Sequence, residues 1–145
     1  MKQFSLLTLL FLMATSSIAQ KNVEELLEAY NTRSVPYMSV EELRSHIKSA
    51  INVGYNDYTS EEKQLQNLNK NIPVVVYCSV GIRSEKIGEK LKKAGFTKVK
   101  NLYGGIFEWK NKGYPVFDSA GKETENVHAF SKHWSQYLNA GKPVY

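Results

Sequence analysis

Apolar positions recur at helical spacing near the start of the readable chain: Val23, Leu26, Leu27 and Tyr30 line one face of a short amphipathic helix over residues 22–31. Residues 33–37, around Pro36, read as a connector. Ser39 and Glu42 have the spacing of a capping box, and the helix they open would bury Val40, Leu43 and Ile47. Residues 50–55 form a short apolar stretch that predicts a strand. The clearest strand is Pro73-Val74-Val75-Val76-Tyr77, apolar on both faces, the pattern of a central parallel strand covered by helices on each side. From Ser84 to Ala94 the period turns helical again, with Ile87, Leu91 and Ala94 on one face and Gly95 ending the run. Lys98 to Leu102 predicts another strand anchored by Val99. Gly104-Gly105 then turns the chain into a short helix carrying Ile106, Phe107 and Trp109, which stops at Gly113 and Pro115. Residues 118–125 read as a polar loop, and Phe130, Trp134, Tyr137 and Leu138 predict a C-terminal helix over 126–139. Strand and helix alternate without internal repeats, so the expected class is α/β with a small, mostly parallel sheet.

The first nineteen residues follow a different rule. Lys2 gives a positive start, Phe4 to Met13 is apolar, and Ser17-Ile18-Ala19 offers small residues where a signal peptidase cuts. About ten apolar residues cannot cross roughly 30 Å of hydrocarbon, so a cleaved leader over residues 1–19 is expected rather than a membrane anchor. No cysteine follows the run to take a lipid. The expectation is one exported domain over residues 20–145, in a periplasm or outside the cell, with no membrane association after cleavage.

The formal charge of +5 is mild, and the lysines are scattered from Lys86 to Lys112 among acidic residues. Nucleic-acid binding calls for a concentrated basic stripe with aromatic platforms. This distribution suits a solvated surface that favours small anions. The chain has one cysteine, Cys78. Exported domains use cysteines in pairs, so an unpaired thiol is either buried and inert or has a task.

The surroundings of Cys78 favour a task. It directly follows the apolar strand, at the carboxyl edge where open α/β sheets bind ligands. The helix beginning near Ser84 points its unpaired N–H groups and positive dipole end back at the loop. Gly81 lets the backbone curl into an anion-binding nest, and Arg83 adds a fixed cation. Such surroundings lower a thiol pKa from its usual value of about 8.5 and favour the nucleophilic thiolate.

The segment Val74-Val75-Val76-Tyr77-Cys78-Ser79-Val80-Gly81-Ile82-Arg83-Ser84 resembles the active loop of rhodanese-family sulfurtransferases, in the form Cys-x-x-Gly-x-Arg-Ser. Leu102-Tyr103-Gly104-Gly105-Ile106-Phe107-Glu108-Trp109, with Gly113-Tyr114-Pro115-Val116, is similar to the family's closing motif. Ser45 to Val53 is similar to the stretch where members carry Gly-His-Ile-x-Gly-Ala. The resemblance runs from about Ser39 to Val116. It implies a three-layer α/β/α domain and a catalytic Cys78 whose thiolate takes sulfur from a donor such as thiosulfate. The resulting persulfide would then yield its sulfur to cyanide or a thiol. Ser79, Val80, Gly81, Ile82, Arg83 and Ser84 would bind the anionic substrate, chiefly through backbone amides, with Arg83 orienting the loop or the donor. No metal and no organic cofactor is implied. Cysteine-dependent phosphatases share the strand-loop-helix plan but place five residues between Cys and Arg; here only Ser79 to Ile82 intervene. The tighter loop suits a single sulfur better than a tetrahedral phosphate.

One family feature is missing. Members carry a strand ending in Asp-x-Arg beside the Cys strand, and this chain passes directly from Leu43 to Arg44-Ser45-His46. Either the second helix runs through His46, or residues 44–53 align with the family and the sheet is one strand short. Two further readings of function follow. The domain could relay persulfide sulfur to a protein partner, docking through its terminal helices. It could also keep the loop without turnover. A redox role is weaker, since the chain has no resolving cysteine. His46 suits a structural role, and His128 and His133 a solvated surface. Trp109 and Trp134 suit packing, and Tyr77 either the mouth of the site or the sheet.

Overall fold

The computed structural model describes residues 23–43, 50–56, 65 and 67–145. The leader expected over residues 1–19 and the His46 stretch lie outside the described residues. Residues 23–30 form helix α1, with Val23, Leu26 and Leu27 buried as their spacing requires, while Tyr30, expected on the same face, is exposed. Strand β1 (Tyr37–Met38) leads into α2 (Val40–Leu43), followed by β2 (Pro73–Val76), α3 (Ile82–Lys93), β3 (Lys98–Leu102) and α4 (Gly105–Asn111). The chain continues through β4 (Val116–Phe117), β5 (Glu123–Thr124), β6 (Asn126–His128), α5 (Lys132–Ser135) and β7 (Lys142–Val144).

The main sheet is parallel in the order β1-β3-β2. Side chains alternate across it, so each strand feeds two cores. Val74 and Val76 join Val99, Val35, Ile87, Leu91 and Phe96 on the α3 side. Val75 and Tyr77 join Val40, Leu43, Leu102 and Trp109 on the other, beneath α2 and α4. This is the α/β class expected from the sequence, with helices on both faces. The Ser39–Glu42 capping box is formed: the Ser39 amide donates to Glu42 Oε2 at 2.9 Å, and the Glu42 amide to Ser39 Oγ at 3.2 Å.

Several expectations are corrected. Among the described residues the central strand is β3, and β2 is paired on one side only. Residues 50–55 are not a strand. Asn52 Oδ1 accepts the Gly54 amide at 2.9 Å and Gly54 takes φ 64°, a local turn that leaves Ile51 and Tyr55 exposed. Ala94 is exposed, and Phe96 is buried in its place. Gly95, at φ 97°, reverses the chain so that its amide reaches the Lys92 carbonyl while the Phe96 amide reaches Leu91. That is a Schellman ending with its hydrophobic contact between Phe96 and Leu91. Residues 118–125 contain the turn and second strand of the β4–β5 hairpin, and the turn is tied by Asp118 Oδ1 to the amides of Ala120 and Lys122.

The helix expected over 126–139 is a single turn, α5, between two parallel strands. Phe130 at φ 60° and extended Ser131 at φ −158° interrupt any helix there. The Ala129 amide instead pairs with the Val144 carbonyl at 2.9 Å. Trp134, Tyr137 and Leu138 still face the core of Leu26, Val80, Phe107 and Val127, so their spacing marked the right face but too long an element. Asn111, at the end of α4, holds this C-terminal unit. Its Nδ2 donates to the Tyr137 carbonyl, and its Oδ1 accepts the amides of Asn139 and Ala140.

Candidate active site

Parallel pairing puts the carboxyl ends of β1, β2 and β3 at one edge, and the loop after β2 carries Cys78 there. Two helix starts converge on it. The N-terminal amides of α4 face its first residues from below: Ile106 N–H donates to the Cys78 carbonyl at 2.8 Å and Phe107 N–H to the Ser79 carbonyl at 3.0 Å. The start of α3 faces the sulfur. Gly81, the residue before α3, takes φ 102° with no side-chain cap, and its amide donates to Cys78 Sγ at 3.2 Å. The amides of Val80 and Ser84 also donate to the sulfur. Cys78 Sγ thus accepts donors that a capping side chain would otherwise take.

The Ser84 hydroxyl lies 3.5 Å from Cys78 Sγ. Burial pushes the thiol pKa up; against it act the Ser84 hydroxyl and the amides of Ser84, Gly81 and Val80, and the net shift is downward. A thiol whose folded pKa is depressed gives the fold stability that is complete above the ordinary thiol range. That contribution is lost as the pH falls through the folded value. Ser84→Ala removes one of the donors. The midpoint of iodoacetamide alkylation of Cys78 against pH is expected to rise by about half to one unit in the variant; an unchanged midpoint would count against the hydroxyl's part.

The structure divides the six loop residues named from sequence. Val80, Gly81 and Ser84 present donors to the sulfur. The side chains of Ser79, Val80 and Ile82 turn elsewhere: Ser79 Oγ donates to the His128 carbonyl at 3.2 Å, while Val80 is buried beside Phe107 with Ile82 packed against the same cluster. Arg83 is half-buried, with its guanidinium carbon 4.6 Å from the Phe130 ring centre and 5.8 Å from that of Tyr55. Phe130 is 55% exposed and takes a left-handed backbone that a bulky residue seldom adopts. Tyr77 packs beneath α2 and α4, and burial raises its phenol pKa. Among the described residues no group of His, Cys, Asp and Glu is arranged to hold a metal ion, and no helix is long and apolar enough to cross a membrane.

Sequence reasoning missed three polar residues behind the loop: Asn31, Asn101 and Glu85. Asn101 and Glu85 are 0% exposed. A signal was present for the first two. Asn101 interrupts the strand Lys98–Leu102 just ahead of Gly104-Gly105, and Asn31 ends the amphipathic run of α1. Glu85 carried none, since an acid in the first turn of a helix is ordinary.

Residues 20–112 match the family model described as Rhodanese-like domain. Among curated proteins, the chain is 39% identical over 67 residues to a tRNA uridine(34) hydroxylase of Aster yellows witches'-broom phytoplasma (strain AYWB), covering 44% of this chain and 22% of that protein. It is 30% identical over 103 residues to the tRNA uridine(34) hydroxylase of Rickettsia rickettsii (strain Sheila Smith), covering 61% and 41%. It is also 32% identical over 69 residues to a Bacillus subtilis (strain 168) protein named as a candidate sulfur carrier, YrkF, covering 48% and 36%. The chain spans less than half the length of each of these relatives.

Proposed function

The chain belongs to the rhodanese-like domain family, and from that premise we propose that it moves sulfane sulfur through a persulfide on Cys78. The observation that carries this reading is the set of donors on one sulfur: three backbone amides and the Ser84 hydroxyl converge on Cys78 Sγ. Such a cradle favours an anion on the sulfur before, during and after transfer.

With thiosulfate as donor, the Cys78 thiolate attacks the outer sulfur. A Cys–S–S bond forms, the S–S bond of thiosulfate breaks, and its electron pair leaves with sulfite. Cyanide or a thiolate then attacks the outer sulfur of the persulfide, giving thiocyanate or a new persulfide and returning the Cys78 thiolate. Charge is conserved in both steps, and neither needs a metal or an organic cofactor. Amides already aimed at the sulfur need no reorganisation as the charge moves. Arg83 is the cation available to an approaching anionic donor. The partners proposed are therefore small: an anionic sulfur donor and a thiol or cyanide acceptor, with neither nucleic acid nor membrane. The apolar run from Phe4 to Met13 behind Lys2, followed by the small residues Ser17 and Ala19, supports export to a periplasm or beyond the cell.

The test is intact-mass spectrometry after incubation with thiosulfate. The wild-type protein is expected to gain one sulfur atom, which cyanide then removes as thiocyanate, and Cys78→Ala serves as the blank. A folded wild-type protein that gains no sulfur would refute the reading. The similarity to the candidate sulfur carrier favours a second reading, a relay that loads sulfur on Cys78 and yields it to a protein partner. Loading without cyanide turnover would select it.

A further inference from the structure

The loop's forward face has donors for the sulfur, and its rear face has a set of its own. The Gly81 carbonyl accepts from two buried side-chain amides, Asn31 Nδ2 at 2.9 Å from the end of α1 and Asn101 Nδ2 at 2.8 Å from β3. Asn101 also reaches the other end of the loop, where the Ser84 hydroxyl donates to its Oδ1 at 2.7 Å. Asn101 lies in the central strand, its backbone level with Tyr37 on one side and Val76 on the other. A polar side chain fully buried in a small sheet is costly unless its groups are satisfied. Here both of its polar atoms bind the loop that carries Cys78.

We propose that Asn101, seconded by Asn31, is a positioning residue of the Cys78 site: it grips the Gly81 carbonyl and the Ser84 hydroxyl from behind and so aims the loop's donors at the sulfur. The orientation follows from the chemistry of one amide. Because Nδ2 serves the Gly81 carbonyl, Oδ1 faces Ser84 and fixes the hydroxyl beside the sulfur. The Ser84 hydroxyl has one proton and two acceptors, Asn101 Oδ1 at 2.7 Å and Cys78 Sγ at 3.5 Å. A neutral thiol leaves that proton on the amide oxygen. A thiolate or persulfide anion is the stronger acceptor and draws it across. The Ser84 hydroxyl therefore has one arrangement for each charge state of Cys78, and Asn101 Oδ1 gains or loses its donor accordingly. Asn31 adds a second hold on the same carbonyl and donates to the Tyr37 hydroxyl at 2.8 Å.

The inference rests on Cys78 being the reactive group, and its test needs no sulfur transfer, so the two can fail separately. In the wild-type protein the side-chain amide resonances of Asn101, followed against pH in nitrogen-15-labelled protein, are expected to shift with the midpoint of Cys78 alkylation. An Asn101 signal that stays flat through that midpoint overturns the proposal. In Asn101→Ala and Asn101→Asp the alkylation midpoint is expected to rise by about one unit, close to a tenfold slower reaction at neutral pH. Asn31→Ala, which leaves the Asn101 contacts in place, is expected to raise it by less. Folded variants whose thiol midpoint matches wild type would reduce both residues to packing. Should a variant fail to fold, the wild-type titration decides alone.

Discussion

Gly105→Ala is expected to lower the unfolding free energy by about 3–5 kcal/mol, and to slow Cys78 alkylation at neutral pH in whatever protein still folds. Gly105 begins α4 at φ 60°, where a side chain is disfavoured. A Cβ there would run into the Cys78 carbonyl oxygen and lie 2.7 Å from both the carbon and the oxygen of the Ser79 carbonyl. These are backbone atoms with nowhere to go, because Ile106 and Phe107 hold those two carbonyls by hydrogen bonds. The helix would have to back away from the loop, opening both bonds and the packing of Phe107 beneath Val80. Gly113→Ala is the matched control. Gly113 is also left-handed, at φ 82°, but a Cβ there meets nothing within 4 Å. It should cost only the backbone term, about 1 kcal/mol. Urea unfolding of both variants separates the two contributions, and equal losses would show that close approach to Cys78 is not what Gly105 provides.

What could be read in the sequence was whatever repeats along the chain or stays within one loop. Val74 and Val75 face opposite cores, as an apolar run buried on both sides must, and α3 and α4 lie where the period changes. The surroundings of Cys78 were legible because a strand, a loop with Gly81 and a helix are contiguous and their geometry is local. The rear of the site was not. Asn31 and Asn101 meet the same carbonyl from positions 50 and 20 residues away; each is a polar break in an apolar pattern, but neither break says where its side chain goes. The C-terminal unit failed for a different reason. Trp134, Tyr137 and Leu138 do share a buried side, whereas Phe130 is exposed; periodicity does not register that Phe130 is left-handed, and that residue keeps the helix from starting before Lys132. The 50–55 stretch has strand-like apolarity, yet Asn52 and Gly54 favour a turn, and the turn prevails.

The second large effect is expected at Glu85, a residue with no place in the sulfur chemistry. Its side chain is fully buried at the first turn of α3. One carboxylate oxygen accepts the Thr32 amide at 2.9 Å and the other the Ser34 amide at 3.1 Å. The two bonds fasten the connector between α1 and β1, in which Arg33 takes φ 56° and Val35 is wholly buried against Val76 and Ile87. Glu85→Ala would orphan two backbone amides and leave a cavity. Hydrogen bonds to a charged acceptor contribute about 1.5–3 kcal/mol each, so a loss of about 3–5 kcal/mol is expected. Glu85→Gln keeps the shape but turns an NH2 group toward one of the two amides, and should cost roughly half as much. The same connector begins at Asn31, which reaches the Gly81 carbonyl. Loosening it should therefore also raise the alkylation midpoint of Cys78, in the direction of Asn31→Ala. If Glu85→Ala unfolds in urea within about 1 kcal/mol of wild type, the connector is held by Val35 and by the bonds of Ser34 to Glu89 and Lys92. The route from α1 to the reactive loop would then run through those contacts rather than through this carboxylate.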